Sequence, residues 1–114
     1  MRSPDTVVLV HGLWMTPRSW EHWAKRYTGL GYKVLTPAYP GLEVEVEALR
    51  ADPSAIAGVT VPATVKHLET VIGGLASPPI IMGHSFGGAL TQILLDHGFG
   101  AAGVAIDSVP RRAF

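Results

Sequence analysis

The sequence predicts an α/β fold, a doubly wound and mostly parallel sheet of about four strands with helices on both faces. Strand-like runs recur along the chain at 7–10, 33–36, 80–82 and 104–106. Most of their residues are apolar, and the continuous run 7–10, which lacks the polar alternation of a half-exposed strand, is typical of a strand covered on both faces. Segments with helical spacing separate the runs, and alternating strands and helices form parallel sheets with right-handed crossovers.

The first strand, 7–10, precedes a helix start in which Pro17 takes the first helical position. Apolar and aromatic side chains then follow at i, i+3, i+4 and i+7 and share one helical face, namely Trp20, Trp23, Ala24 and Tyr27. We expect both of these tryptophans to lie in the core. The glycines at 29 and 31 end the helix, and the second strand ends at Pro37.

Residues 38–59 show no regular period, and the alternating segment Glu43 to Glu47 fits a strand, a loop or a short helix equally well. A helical apolar stripe follows, formed by Val61, Val65, Leu68, Ile72 and Leu75. After the third strand, the pattern predicts a helix from Ala89 to His97, with Gly98 just beyond its C-cap. The fourth strand completes the predicted sheet.

The composition predicts one domain, 1–114, because a chain of 114 residues has room for a single core. Nine Lys and Arg balance nine Asp and Glu, and without a basic excess we expect no nucleic-acid partner. The absence of cysteine excludes disulfide scaffolds, cysteine zinc sites and thiol nucleophiles. No apolar run has the length of a signal sequence or a membrane span, so we expect a cytoplasmic location.

The segment Gly83-His84-Ser85-Phe86-Gly87 matches the pattern G-x-S-x-G and lies between a predicted strand and a predicted helix. A serine in this sharp turn projects its hydroxyl beyond the carboxyl edge of the sheet, and the glycines, together with Gly88, provide room for the turn. Backbone N–H groups at the start of the helix, beginning with Phe86, are placed to stabilise an oxyanion. The non-catalytic alternative is that this segment is a glycine-rich turn in which the serine has no function.

The segment His11-Gly12-Leu13-Trp14 follows the first strand, where a backbone N–H completes an oxyanion hole. We expect the Leu13 N–H to be that donor, paired with the Phe86 N–H. His11 is expected to be a buried, hydrogen-bonded residue that holds the loop, and Trp14 is a candidate pocket residue. If the second and third strands flank the first, Leu13 and Ser85 meet at the point where the strand order reverses, which is where ligands bind.

These two motifs make the chain resemble the front half of the α/β-hydrolase family, with VVLVHGLW as the oxyanion strand and loop and IIMGHSFGG as the nucleophile turn. The resemblance implies a serine hydrolase in which Ser85 attacks a small-molecule ester or related acyl substrate, forming an acyl-enzyme. The Leu13 and Phe86 N–H groups would bind the oxyanion, with no cofactor and no metal. A serine here resembles esterases, lipases, thioesterases, cofactor-free perhydrolases and some C–C hydrolases.

A serine nucleophile needs a base within hydrogen-bond reach and an acid that orients the base. In this family the order along the chain is serine, acid, histidine. The only histidine after Ser85 is His97, which a helix of about twelve residues places roughly 18 Å away. His84 is expected to point away from the hydroxyl. Asp107, just beyond the fourth strand, is the candidate acid, with a loop-capping role as the alternative.

The chain therefore resembles a truncated hydrolase domain that is weak or inactive by itself because the triad histidine is absent. The strand near Val104–Ile106 would be an exposed edge, through which we expect a homo-oligomer to form. Two alternatives stay open: a non-catalytic binding relic, and a structural fragment that is stable only in an assembly. The glutamates at 43, 45 and 47 are expected to form a solvated loop rather than a metal site.

Overall fold

The computed structural model describes residues 4–12, 17–39 and 60–109. Within them the strands are β1 (Thr6–Val10), β2 (Lys33–Leu35), β3 (Ile80–His84) and β4 (Ala102–Ile106). The helices are α1 (Glu21–Gly29), preceded by a 3₁₀ turn at Pro17–Trp20, α2 (Val61–Gly73) and α3 (Phe86–Asp96). The strands are parallel and run in the order β2-β1-β3-β4. The predicted fold class is confirmed.

Two helices cover one side of the sheet, which we call the two-helix face. Val8 and Val10 of β1 and Ile81 of β3 are fully buried there. Helices α2 and α3 pack on them through buried side chains, namely Val65, Leu68, Ile72, Leu90 and Leu94. The predicted apolar stripe of α2 therefore faces the sheet, and the helix begins where Thr60 Oγ1 accepts a hydrogen bond from the Ala63 N–H at 3.2 Å.

The opposite side of the sheet, the one-helix face, is covered more thinly by α1. Val7, Leu9, Met82 and Trp20 are buried there, but α1 itself contains no buried residue. Trp23 is 41% exposed, so the expectation that it lies in the core is wrong. Helical spacing defines which side chains share a face, but it does not determine how deeply that face is covered. The Trp23 ring packs edge-on against Trp20, with centroids 5.3 Å apart.

Helix α3 begins at Phe86, three residues before the predicted start at Ala89. Glycine is a poor helix former, and the pair Gly87-Gly88 therefore moved the predicted start too far along the chain. Close packing of these glycines against the sheet overrides their low propensity. The helix ends near the predicted position, with His97 as its C-cap. Residues 43–47 lie outside the described ranges.

None of the helices in the described part of the chain has the length and hydropathy needed to cross a membrane.

Candidate active site

Strand register brings three chain segments together at the carboxyl edge of the sheet. Val10 of β1 pairs with Gly83 of β3, and His84 pairs with Ile106 of β4. Because β3 lies between β1 and β4, the turn that follows it is flanked by the loop after β1 and the turn after β4. This edge is where both sequence motifs meet the sheet.

Ser85 forms the sharp turn between β3 and α3, with φ 56° and ψ −117°. A positive φ costs a residue with a side chain about 1–3 kcal/mol and persists only where the surroundings hold it. Here the Ser85 N–H donates to the Ile106 carbonyl at 3.0 Å. The Ser85 carbonyl accepts from the N–H groups of Gly88 and Ala89 at 2.9 and 3.3 Å. The serine is therefore strained and held in place by β4 and α3.

The glycines around Ser85 are required by close approach between α3 and its neighbours. A Cβ on Gly83 would overlap the Gly87 carbonyl oxygen, and one on Gly87 would overlap the carbonyl oxygens of Val10 and His11. A Cβ on Gly88 would lie 2.6 Å from the Ser108 hydroxyl oxygen. The start of α3 thus rests directly on the end of β1, without side chains in between.

His11, the first residue after β1, is fully buried. One ring nitrogen, Nδ1, bonds to the Gly12 carbonyl at 2.7 Å, while Nε2 accepts from the Tyr39 N–H at 3.4 Å. This pattern requires the neutral tautomer that carries its proton on Nδ1. Desolvation by burial lowers the pKa of His11 below 6.5, against a smaller opposing effect of the Gly12 hydrogen bond. Both nitrogens are thus occupied, Nδ1 within the loop and Nε2 by the segment after β2.

Tyr39, which the sequence analysis missed, packs directly on His11. Its ring stacks on the imidazole with centroids 3.9 Å apart, and its hydroxyl donates to the His11 carbonyl. The same ring meets Phe86 edge-on at 6.0 Å. No periodic pattern marks this tyrosine, because it lies in the irregular stretch that follows Pro37 and its partner is 28 residues away in sequence.

The turn after β4 packs against Ser85 from the other side. The Val109 N–H donates to the Ser85 carbonyl at 3.4 Å, and the Gln92 side-chain amide donates to the Ser108 hydroxyl at 2.8 Å. Asp107, the candidate acid, is exposed and has a positive φ of 45°. The fold therefore brings the Asp107 turn next to the Ser85 turn.

Among the described residues, no hydrogen bond joins a histidine to Ser85. All five histidines of the chain lie in described ranges, and the hydrogen bonds of His11 and His97 go elsewhere. His97, at the far end of α3, pairs with the Glu69 carboxylate at 2.8 Å. His84 ends β3 beside Ile106. Leu13 and Trp14, the predicted oxyanion donor and pocket residue, lie outside the described ranges.

No group of His, Asp and Glu within the described residues is arranged to hold a metal ion. The chemical groups that the described edge does offer are a serine hydroxyl on a strained turn, backbone N–H groups at a helix N-terminus and an exposed carboxylate nearby. Such a set suits attack on a carbonyl group and stabilisation of the resulting negative charge.

Comparison with known proteins agrees with this geometry. The model of the Alpha/beta hydrolase family matches residues 7–114. No curated protein sequence matches the chain significantly.

Solved structures share the fold. An extracellular alpha/beta-hydrolase from a Paenibacillus species is 29% identical, with a TM-score of 0.73 over 92% of this chain. The monoacylglycerol lipase of Paleococcus ferrophilus is 22% identical, with a TM-score of 0.71 over 93% of this chain. A thioesterase domain from the curacin biosynthetic pathway is 18% identical, with a TM-score of 0.72 over 93% of this chain. The chain spans 41%, 40% and 38% of these three, respectively. With a family model matched along nearly its whole length, the chain belongs to the alpha/beta hydrolase family.

Proposed function

We propose that this chain carries the nucleophile and the oxyanion-binding groups of a serine hydrolase that acts on carboxylic esters or related acyl substrates. The observation that carries the proposal is the Ser85 turn, a non-glycine residue at positive φ between a buried strand and a helix. Strain of this kind is maintained at functional sites by the structure around it. A glycine-rich turn without chemistry has no need for a serine in that conformation.

In the proposed reaction, the Ser85 hydroxyl oxygen attacks the substrate carbonyl carbon, and the carbonyl π electrons move onto its oxygen. The N–H of Phe86, at the first position of α3, and that of Leu13 are the proposed donors to this oxyanion. Collapse of the tetrahedral intermediate expels the alcohol and leaves an ester on Ser85, which water then hydrolyses. The partial positive charge of the α3 N-terminus favours the anionic intermediate.

Proton transfer limits the proposed activity of this chain. Attack releases the hydroxyl proton, and the hydrogen bonds of the described histidines do not offer a base for it. Asp107 is the proposed acid that would orient such a base. Loss of a triad member leaves an acceleration of about 10³–10⁴ over water from binding and the oxyanion hole. We therefore expect weak ester hydrolysis or none.

Labelling with a fluorophosphonate probe tests the proposal, because the oxyanion-binding N–H groups favour covalent reaction of the Ser85 hydroxyl over other serines even when the missing base makes that reaction slow. We expect the probe to label the wild-type chain at Ser85 and to leave Ser85→Ala unlabelled. Ser77→Ala removes a hydroxyl from the connection between α2 and β3 and is the matched control, which should label like the wild type. Hydrolysis of activated esters by the same three proteins measures turnover.

Absence of labelling in the folded wild-type chain would contradict the proposal and favour a binding relic or a structural fragment, neither of which predicts a reactive hydroxyl. Robust ester turnover that Ser85→Ala abolishes would instead contradict the expectation of weak activity, since it requires a base.

We also propose that the chain self-associates through β4. This strand is at the edge of the sheet, its sequence AGVAI contains no charged residue or proline, and Val104 is 44% exposed. Such an edge is a template for pairing with a second copy. Light scattering should show a dimer that Val104→Lys disrupts and the control Leu30→Lys, at the exposed residue that follows α1, does not. A wild-type monomer at micromolar concentration would contradict this proposal.

A further inference from the structure

We propose that Tyr39 is a positioning residue, which fixes the backbone of the loop after β1 so that the loop presents its oxyanion donor to the substrate. The contacts of Tyr39 in the folded chain are what fix the loop, whatever the chain's activity. Its chemical consequence rests on the function proposed above, because the loop binds an oxyanion only if Ser85 acts as a nucleophile.

Tyr39 holds both the main chain and the side chain of His11. Its side chain is fully buried, and the phenol hydroxyl donates to the His11 carbonyl. Its backbone N–H donates to His11 Nε2 at 3.4 Å, and its ring lies on the imidazole with an interplanar angle of 25°. His11 in turn bonds to the Gly12 carbonyl through Nδ1 at 2.7 Å. A single residue in the segment after β2 thus contacts His11 directly and holds Gly12 through it.

The His11 carbonyl is confined from two directions. The Tyr39 hydroxyl approaches it from the β2 side, and Gly87 of α3 approaches it so closely that a Cβ there would overlap its oxygen. The His11 carbonyl shares a peptide plane with the Gly12 N–H, and the Gly12 carbonyl, which is bonded to His11 Nδ1, shares a peptide plane with the next N–H along the chain. Of these two contacts, only the one with α3 would remain without the phenol hydroxyl.

Tyr39 also links the two halves of the proposed oxyanion site. Its ring meets Phe86 edge-on at 6.0 Å, and Phe86 carries the other proposed donor. The tyrosine therefore lies between the loop after β1 and the start of α3, and it contacts both. Burial raises the pKa of the Tyr39 phenol, so the hydroxyl keeps its proton and donates to the His11 carbonyl throughout the working pH range.

The test is the variant Tyr39→Phe, which removes the hydroxyl and keeps the ring. Its matched control is Tyr32→Phe, the same change at a half-buried tyrosine on the one-helix face. Since misplacement of a catalytic group by about 1 Å costs up to about a hundredfold in rate, we expect the limiting rate of fluorophosphonate labelling to fall about tenfold to a hundredfold in Tyr39→Phe. Half-saturation by the probe should stay unchanged, because the pocket is retained.

Amide hydrogen exchange gives a second measurement that does not depend on reactivity. In Tyr39→Phe, exchange of the His11 and Gly12 amides should be faster than in the wild type and in Tyr32→Phe. Equal exchange in both variants would overturn the proposal. So would faster exchange in Tyr39→Phe with an unchanged labelling rate, which would make Tyr39 a structural residue alone.

The two proposals fail in different ways. If the folded wild-type chain is not labelled, the proposed hydrolase function fails, and amide exchange still decides whether Tyr39 fixes the loop. If the wild type is labelled and Tyr39→Phe is labelled equally fast, the hydrolase function stands and the positioning role of Tyr39 is overturned.

Discussion

The two faces of the sheet are built from similar strand residues but are covered to different depths. On the two-helix face, α2 and α3 bury Leu68, Leu90 and Leu94 completely against the strands. On the one-helix face, α1 contributes no buried residue and leaves Trp23 exposed. Strand β4 continues this face with Val104, which pairs with the buried Met82 but is 44% exposed.

This difference in burial separates the face that supports the site from the face that carries exposed apolar side chains. The residues around Ser85 depend on the two-helix face, because α3 begins at the turn itself and Tyr39 belongs to the same buried cluster. The one-helix face contributes less buried area and carries the exposed apolar side chains. Substitutions should therefore have unequal effects on the two faces, even where the chemical change is the same.

The largest contrast is expected between two leucines. Leu94→Ala removes a fully buried side chain from the two-helix face and should destabilise the fold by about 2–5 kcal/mol. Leu30→Ala makes the same change at a residue that is 64% exposed at the end of α1, and it should change stability by less than about 0.5 kcal/mol. Urea unfolding of both variants measures the difference, and equal losses would contradict the unequal cover of the two faces.

Glycine-to-alanine changes should have smaller effects on stability, and these should be opposite in sign at Gly87 and Gly29. Gly87→Ala would force a Cβ into the Val10 and His11 carbonyl oxygens, and such overpacking costs about 1–3 kcal/mol. Gly29→Ala, in α1, meets no atom within 4 Å and should stabilise by about 0.4–1 kcal/mol through the unfolded state. Thermal unfolding compares the two variants. A neutral Gly87→Ala would show that α3 can move away from β1.

The third effect is a pH dependence of stability that arises from His11. Burial lowers the pKa of His11 in the folded chain, so the unfolded chain takes up a proton first as the pH falls. Stability should be complete above about pH 6.5 and should decrease below it by up to about 1.4 kcal/mol per pH unit, until the folded residue titrates.

Urea unfolding between about pH 7.5 and 5.5 measures this slope. His22→Gln, at an exposed histidine of α1, is the control that should retain it, and His11→Gln should reduce it. If His11→Gln retains the full slope, the pH dependence does not come from His11.

Much of this fold follows from local patterns in the sequence. Mostly apolar runs predicted the four strands, those of β1 and β3 being typical of strands between two helical layers, and the G-x-S-x-G pattern placed Ser85 between β3 and α3. The depth of packing did not follow, as Trp23 illustrates. Its spacing assigns it to the inner side of α1, but no neighbouring element in the described residues covers it.

The environment of the site was harder to predict than its position. Tyr39 touches His11 across 28 residues of sequence, and long-range contacts of this kind leave no periodic signal. The start of α3 was misplaced for a related reason, because propensity argues against a helix through Gly87 while close packing on β1 requires a glycine there. In both cases contacts between distant parts of the chain determine the structure, and local sequence preferences do not reveal those contacts.

The hydrogen bonds between Ser85 and the end of β4 have a consequence for local unfolding. The Ser85 N–H pairs with Ile106, the last residue of β4, and the Ser85 carbonyl pairs with Val109 beyond it, and β4 is the most exposed strand of the sheet. Edge strands open at a lower free energy than the core. Each time β4 detaches, the turn loses two of the bonds that hold its unfavourable dihedral angles and keeps those from the Gly88 and Ala89 N–H groups of α3. We therefore expect the Ser85 conformation to relax during fraying of β4, more often than the whole fold opens.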